Sequence, residues 1–257
     1  PMRRTITLLF WILLCGTNPA ITQTDSISNP LKYSLKGNLS GSLITGTFQQ
    51  FSIAPSLDFK VFTKHWEVHT ITRYRFNSTN GLVIENNWYE LVTFSYFTEK
   101  NRLLPIAFYH FDNNVIFRVN RRHLAGIGVS SLKETNHWVW RFSGGFGYDD
   151  TEYNGEEFVN SERIGAVRRR SLFIGGIRLQ NQFFDKKLNW SHDLFYGHSL
   201  IEGDDFFFRY ISQLSWKIAK PLSITARYEH RFEHVHLTSL SGLNTILLFG
   251  LTYAAGN

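Results

Sequence analysis

FFFRYISQLSWKI, residues 206–218, alternates in character over most of its length. Phe206, Phe208, Tyr210, Leu214, Trp216 and Ile218 share one parity, and Arg209, Gln213, Ser215 and Lys217 share the other. A period of two belongs to an extended strand, whose side chains point to opposite faces in turn. Here one face is aromatic and apolar, and the other carries charge.

The same scheme recurs in both directions from this stretch. Upstream, Leu188, Trp190, Leu194 and Tyr196 oppose Asn189, Ser191 and Asp193. Trp138, Trp140, Phe142, Phe146 and Tyr148 oppose Arg141 and Ser143. Trp88, Val92, Phe94 and Tyr96 share a face, as do Trp66, Val68, Tyr74 and Phe76, the latter against Glu67, His69, Arg73 and Arg75. Near the start, Tyr33 to Leu43 and Phe51 to Phe59 repeat the pattern around a turn at Gly46. Downstream, Leu222, Ile224, Ala226 and Tyr228 alternate with Thr225, Arg227, Glu229 and Arg231, and Leu243, Leu247, Phe249, Leu251 and Tyr253 share the last face. With less regular runs near residues 102–111, 123–132 and 171–181, the total is about twelve strands.

Many runs are about ten residues long, twice the usual soluble strand and the length a tilted transmembrane strand needs. The connectors alternate in length. Short ones fall near residues 62–65, 99–102, 133–136, 185–187 and 219–221, and longer ones at 77–86, 112–122, 149–169, 198–205 and 233–242. Short periplasmic turns and long extracellular loops are the habit of outer-membrane barrels, and an even strand number puts both ends of the barrel on the periplasmic side. Trp66, Trp138 and Trp190 open strands just after short turns, while Trp216 and Tyr253 close strands at the same level. They form an expected aromatic girdle at one membrane–water interface, where amphipathic rings are favoured. The expected fold is therefore all-β: an antiparallel transmembrane β-barrel in a bacterial outer membrane.

Composition agrees. The 257 residues are 43% hydrophobic and 16% aromatic, which excludes disorder. A mean hydropathy of −0.19 excludes a bundle of membrane helices but suits a barrel, where only alternate strand residues meet lipid. The net charge of +6 suits anionic headgroups or small anions, and no nucleic-acid motif accompanies it. Arg3 and Arg4 followed by the apolar stretch from Thr5 to Leu14 read as an export signal, too short to span a bilayer as a helix. Cleavage is expected after Ala20-Ile21-Thr22, so the chain divides into a signal peptide at 1–22, a polar linker at 23–30, a barrel at 31–253 and a tail at 254–257. The single cysteine, Cys15, falls within the signal. The large Leu14 before it argues against a lipoprotein, because that cleavage needs small residues.

Four segments bear a family resemblance: Gly41-Ser-Leu-Ile-Thr-Gly46, Glu85-Asn-Asn-Trp-Tyr89, Arg122-His-Leu-Ala-Gly-Ile-Gly128 and the closing Gly250-Leu-Thr-Tyr253. In this order they resemble the domain-of-unknown-function family typified by the salt-stress-induced outer-membrane protein (YdiY-like). The resemblance covers the chain from about residue 31 and implies an outer-membrane barrel with no established catalytic residues. Ala254 to Asn257 extend past the usual barrel ending.

If the aromatic faces meet lipid, the opposite faces line a lumen. Arg73, Arg75, Arg141, Arg178, Arg209, Arg227 and Arg231 fall there, with Lys36, Lys60 and Lys217, against Asp58, Glu67, Asp193 and Glu229. That basic excess suits a small anion-selective channel. Pairing of Arg with acid would instead fill the barrel, and twelve strands sit between filled small barrels and open porins. Arg118, Arg121 and Arg122, with Arg168, Arg169 and Arg170, are read as loop-end clusters able to clamp lipopolysaccharide phosphates through their planar forks. Ser191-His192-Asp193 has the letters of a hydrolase triad, but in a strand His192 points away from both neighbours, and His198-Ser199 has the same fault. His234 and His236 share a parity, yet two imidazoles make an incomplete metal site. No cofactor is expected. The readings are then a non-catalytic barrel with a structural or envelope-stress role, an anion channel, and an outer-membrane hydrolase. Outer-membrane lipid and the barrel assembly machinery are the expected partners, the machinery reading the apolar, aromatic-ended last strand.

Overall fold

The computed structural model describes residues 31–44, 49–97, 103–135, 138–161, 165–238 and 240–256. The expected export signal, the polar linker and the turn at Gly46 lie outside the described residues.

Twelve long strands form one closed antiparallel barrel. They are β1 (Lys32–Ile44), β2 (Gln50–Phe62), β3 (Trp66–Thr79), β4 (Leu82–Tyr96), β5 (Leu103–Asn114), β6 (Val119–Glu134), β7 (Trp138–Tyr153), β9 (Val167–Phe183), β10 (Leu188–Ser199), β11 (Phe206–Lys217), β12 (Leu222–Glu233) and β14 (Leu243–Gly256). Each long strand pairs with its neighbour in sequence, and β14 pairs with β1 to close the ring. Closure leaves no open edge, as lipid demands. Two short strands, β8 (Phe158–Val159) and β13 (His236–Leu237), pair with each other outside the barrel wall.

The alternation sorts side chains as the pattern requires. Tyr33, Leu57, Phe94, Phe142, Phe146, Phe249 and Tyr253 are exposed on the outside, while His69, Asp112, Arg122 and Asp149 are buried inside. An apolar exterior over a polar interior inverts a soluble sandwich and is the arrangement of a barrel in lipid. Among the described residues no helix is long and apolar enough to cross a membrane; the strands do the crossing.

The end where β1 begins and β14 finishes is called here the closing end, and the opposite one the loop end. Trp66 and Trp138 are the first residues of their strands and Trp190 is the third of its own, while Trp216 and Tyr253 lie within the last few residues of theirs at the same end. Trp88, Tyr109, Tyr148 and Tyr228 stand exposed further toward the loop end.

Three expectations need correction. The long connector at 77–86 is a tight hairpin at Asn80-Gly81, whose φ values of 49° and 79° are those of the Asn-Gly turn that matches strand twist. The connector at 112–122 shrinks to residues 115–118, because β5 and β6 run on past it. Of the five longer connectors expected, 154–166, 200–205 and 234–242 remain between long strands. Lastly, residues 254–257 are not simply a tail: Ala254, Ala255 and Gly256 continue β14 and pair with Lys36, Leu35 and Ser34. The barrel seam therefore extends three residues past Tyr253.

Candidate functional site in the barrel lumen

All seven arginines assigned to the lumen from parity point inward. Near the closing end, Arg178 Nη2 lies 2.7 Å from Asp193 Oδ2 and Arg141 Nη1 lies 3.5 Å from Glu67 Oε1. His69 Nε2 sits 2.9 Å from Asp58 Oδ1. At mid-height Glu229 is the centre. Arg209 Nε approaches it at 3.1 Å, Arg227 Nη2 at 2.8 Å and Arg75 Nη2 at 3.3 Å. Arg75 also faces Glu85 at 3.6 Å. Arg73 differs from these: its guanidinium carbon lies 5.0 Å from the centroid of the Tyr89 ring, and its buried Nη1 has no hydrogen-bond partner.

The densest charge lies toward the loop end, and most of it escapes a sequence reading. Arg122 forks Glu233, with Nη1 to Oε1 at 2.9 Å and Nη2 to Oε2 at 3.1 Å. Its Nε donates to Thr151 at 3.1 Å. Arg231 reaches Glu233 at 2.8 Å and Asp112 at 2.9 Å. Arg170 donates from Nε to Asp149 at 2.9 Å and from Nη1 to Asp205 at 2.8 Å. Arg168 Nη2 joins Asp205 at 2.8 Å and Glu202 at 3.1 Å. Arg122 is 2% exposed and Asp149 0%. Forked, charge-assisted hydrogen bonds of this kind are roughly twice as strong as neutral ones.

An apolar cap packs on this network. Phe117, Val119, Tyr153, Phe158, Val235 and Leu237 form one buried cluster, tied by the β8–β13 pair. Asn114 Oδ1 accepts the Phe117 backbone N–H at 3.2 Å and holds the turn from which the buried Phe117 ring enters the cluster. The contact between layers is specific: Arg231 lies over the Phe117 ring at 4.7 Å, Arg168 over Phe158 at 5.2 Å, and Arg122 Nη2 donates to the Tyr153 hydroxyl at 3.2 Å.

The loop-end arginine clusters divide accordingly. Arg122, Arg168 and Arg170 are buried inside the barrel, not displayed to solvent. Arg118, Arg121 and Arg169 are exposed, with Arg121 2.8 Å from Glu152 and Arg169 3.6 Å from Asp150. Parity held the signal: Arg122 keeps the inward phase of Leu124, and Arg168 and Arg170 keep that of Leu172 and Ile174. Local pattern hides it because β6, β7 and β9 have 16, 16 and 17 residues, well beyond a bilayer's thickness. The inward basic excess shrinks once Glu85, Asp112, Asp149, Asp205 and Glu233 join the interior.

The triad letters do not assemble. Ser191 and Asp193 share the inward parity, and Asp193 is held by Arg178. His192 lies outside, its Nδ1 2.7 Å from the Tyr210 hydroxyl. His198 is likewise outside, 3.1 Å from the Tyr196 hydroxyl. His234 stacks on Phe206 at 4.9 Å, and His236 Nδ1 sits 3.2 Å from both the Glu233 and His234 carbonyls.

Between the charge layers lies a cavity of about 160 Å³. Its apolar side includes Ile71, Leu91, Phe108, Phe195, Phe207 and Ile211, and Arg73, Arg178 and Arg209 face it. Inward glycines make room for the rings. A Cβ on Gly126 would fall 2.5 Å from Phe108 Cζ, and one on Gly197 would fall 2.4 Å from Phe207 Cζ.

Among solved structures the NanC porin is similar, at 9% identity over 86% of this chain and 98% of that one, with a TM-score of 0.50. An outer membrane channel from Pseudomonas putida F1 matches at 10% identity over 94% of this chain and 100% of that one, with a TM-score of 0.45. The translocator domain of the autotransporter NalP from Neisseria meningitidis matches at 9% identity over 98% and 97%, with a TM-score of 0.43. Such identities speak to the fold alone. No curated protein matches the sequence. The model of the family described as "Protein of unknown function, DUF481" matches residues 37–254. This integral barrel of the bacterial outer membrane therefore belongs to the DUF481 family.

Proposed function

We propose that the chain is a non-catalytic, structural barrel whose lumen is closed at the loop end, not an open pore. The observation that carries this reading is the buried Arg122–Glu233 and Arg170–Asp149–Asp205 network beneath the β8–β13 cap. Desolvated ions held by several partners resist the rearrangement that a water-filled path would need, since leaving one uncompensated costs about 3–5 kcal/mol. The separation of His192 from Ser191 and Asp193 supports the non-catalytic part. The envelope-stress aspect draws its support from the family resemblance. Exposed Arg118, Arg121 and Arg169 offer forked donors for lipopolysaccharide phosphates.

Liposome swelling with the purified protein tests the closed lumen. Vesicles carrying it should swell in small sugars and amino acids no faster than empty ones; solute influx would refute closure.

A second reading, a small anion-selective channel, is favoured by one observation. At mid-height Arg73, Arg75, Arg209 and Arg227 face Glu85 and Glu229, leaving excess positive charge, and cationic rings favour anions. Under a salt gradient that channel would give an anion-signed reversal potential.

A further inference from the structure

We propose that the lumen cavity is a binding site for a small amphipathic carboxylate, its anionic head forked by Arg73 and its apolar body packed against Ile71, Leu91, Phe108, Phe195, Phe207 and Ile211. This goes beyond a closed barrel and does not depend on whether the lumen conducts.

The head group follows from charge accounting inside the barrel. Arg178 has Asp193, Arg141 has Glu67, and Arg231 has both Glu233 and Asp112. Arg75, Arg209 and Arg227 share Glu229. Among the described residues Arg73 touches the Tyr89 ring, which Arg209 also covers at 4.1 Å, and Glu229 and Asp193 act on it only from beyond ion-pair distance. No carboxylate of the described residues pairs with Arg73, and its buried Nη1 has no partner. A cation–π contact is a weak substitute for a fork–fork carboxylate bond. The planar guanidinium prefers an acceptor with two coplanar oxygens. His110 adds a second donor or acceptor on the same cavity wall, since its buried Nε2 is also without a partner.

The body follows from strand register. Arg73 pairs with Tyr89, and two residues closer to the closing end Ile71 pairs with Leu91 on the same inward face. Two residues of strand span about 6.6 Å. A carboxylate at Arg73 thus places the rest of the molecule beside Ile71 and Leu91, with Phe108, Phe195, Phe207 and Ile211 completing the wall. A cavity of about 160 Å³ is below the 300–1,000 Å³ of drug-sized sites, which limits the occupant to a small molecule. A fully hydrated oxyanion such as phosphate would match the guanidinium but leave this wall unused.

The test is isothermal titration of the full protein in detergent with acetate, butanoate, benzoate and inorganic phosphate, using matched detergent in the syringe. Saturable one-site binding is expected, tightening by about tenfold or more from acetate to benzoate as apolar area is buried. Arg73→Leu should weaken benzoate by about tenfold or more, the scale of losing a charge-assisted fork. Leu91→Ser should weaken benzoate and leave acetate unchanged. Lys133→Gln, exposed on β6 at the closing end, should change nothing. Each variant is first shown to be folded by its shift in mobility on boiling, and Leu91→Ser serves if Arg73→Leu does not assemble. Absence of saturable heat, phosphate binding as tightly as benzoate, or wild-type affinity for benzoate in the variant tested would each overturn the proposal.

Discussion

Glu233→Gln is the perturbation that probes the closed loop end most sharply. In the native barrel this carboxylate accepts both Nη groups of Arg122, at 2.9 and 3.1 Å, and Nη2 of Arg231 at 2.8 Å. At an effective dielectric near 20, each pair about 4 Å apart gains about 4 kcal/mol of Coulomb energy, which offsets a desolvation penalty of several kcal/mol per ion. Gln keeps an acceptor oxygen but removes the charge. Arg122 then retains Thr151 at 3.1 Å and Asp149 at 3.8 Å, and Arg231 retains Asp112 at 2.9 Å. Because both arginines keep a partner, the expected loss sits at the lower end of the range for breaking a buried pair, about 3 kcal/mol. Urea unfolding in phospholipid vesicles, followed by Trp fluorescence and by the shift in mobility on boiling, reads this as a lower midpoint at unchanged slope. Adding Arg122→Met should recover part of the loss, giving a coupling of about 1–3 kcal/mol in the double-mutant cycle. A loss below about 0.5 kcal/mol, the scale of exposed ion pairs, would mean that the network is solvated and the loop end open.

Other expectations are as specific. Arg73→Met should stabilise the barrel by about 1–3 kcal/mol in the same assay, because it removes a buried donor that has no acceptor. Gly145→Ala would set a Cβ 2.2 Å from the Ile127 carbonyl oxygen, where only backbone movement gives relief, so it should cost about 1–3 kcal/mol. Phe249 is 61% exposed near the middle of β14, and Phe249→Arg should cost about 2–4 kcal/mol in lipid and lower the folded amount in outer-membrane fractions. Deleting residues 254–257 should also lower it, since Ala254, Ala255 and Gly256 pair with β1; full assembly of that truncation would place the end of the seam at Tyr253.

The wall of this barrel is legible in the sequence because lipid leaves little choice. Most lipid-facing residues of a run such as Phe206–Lys217 must be apolar, so strand number and facing follow from parity. The expected girdle at Trp66, Trp138, Trp190, Trp216 and Tyr253 is read the same way. What parity does not reveal is where a strand stops once it leaves the membrane. Beyond the bilayer the outer face becomes polar too, as with Asn120, Arg121 and Arg169, and alternation fades while backbone pairing continues. A sequence reading therefore places Arg122, Arg168 and Arg170 in loops although their phase is inward. Asn80-Gly81 did carry a local turn signal, obscured by the polar residues around it. The partners of each lumen arginine depend on which strands face each other across the barrel. Arg75 and Glu229 lie 154 residues apart in sequence, and no local pattern joins them.

Planar-bilayer recording under a potassium chloride gradient tests the closed lumen most directly, with wild-type protein beside the Arg122→Met, Glu233→Gln variant. A lumen sealed by its buried ion network predicts a quiet wild-type trace and discrete conductance steps in the variant. Regular wild-type steps with an anion-signed reversal potential would contradict the closed barrel and put the anion channel in its place.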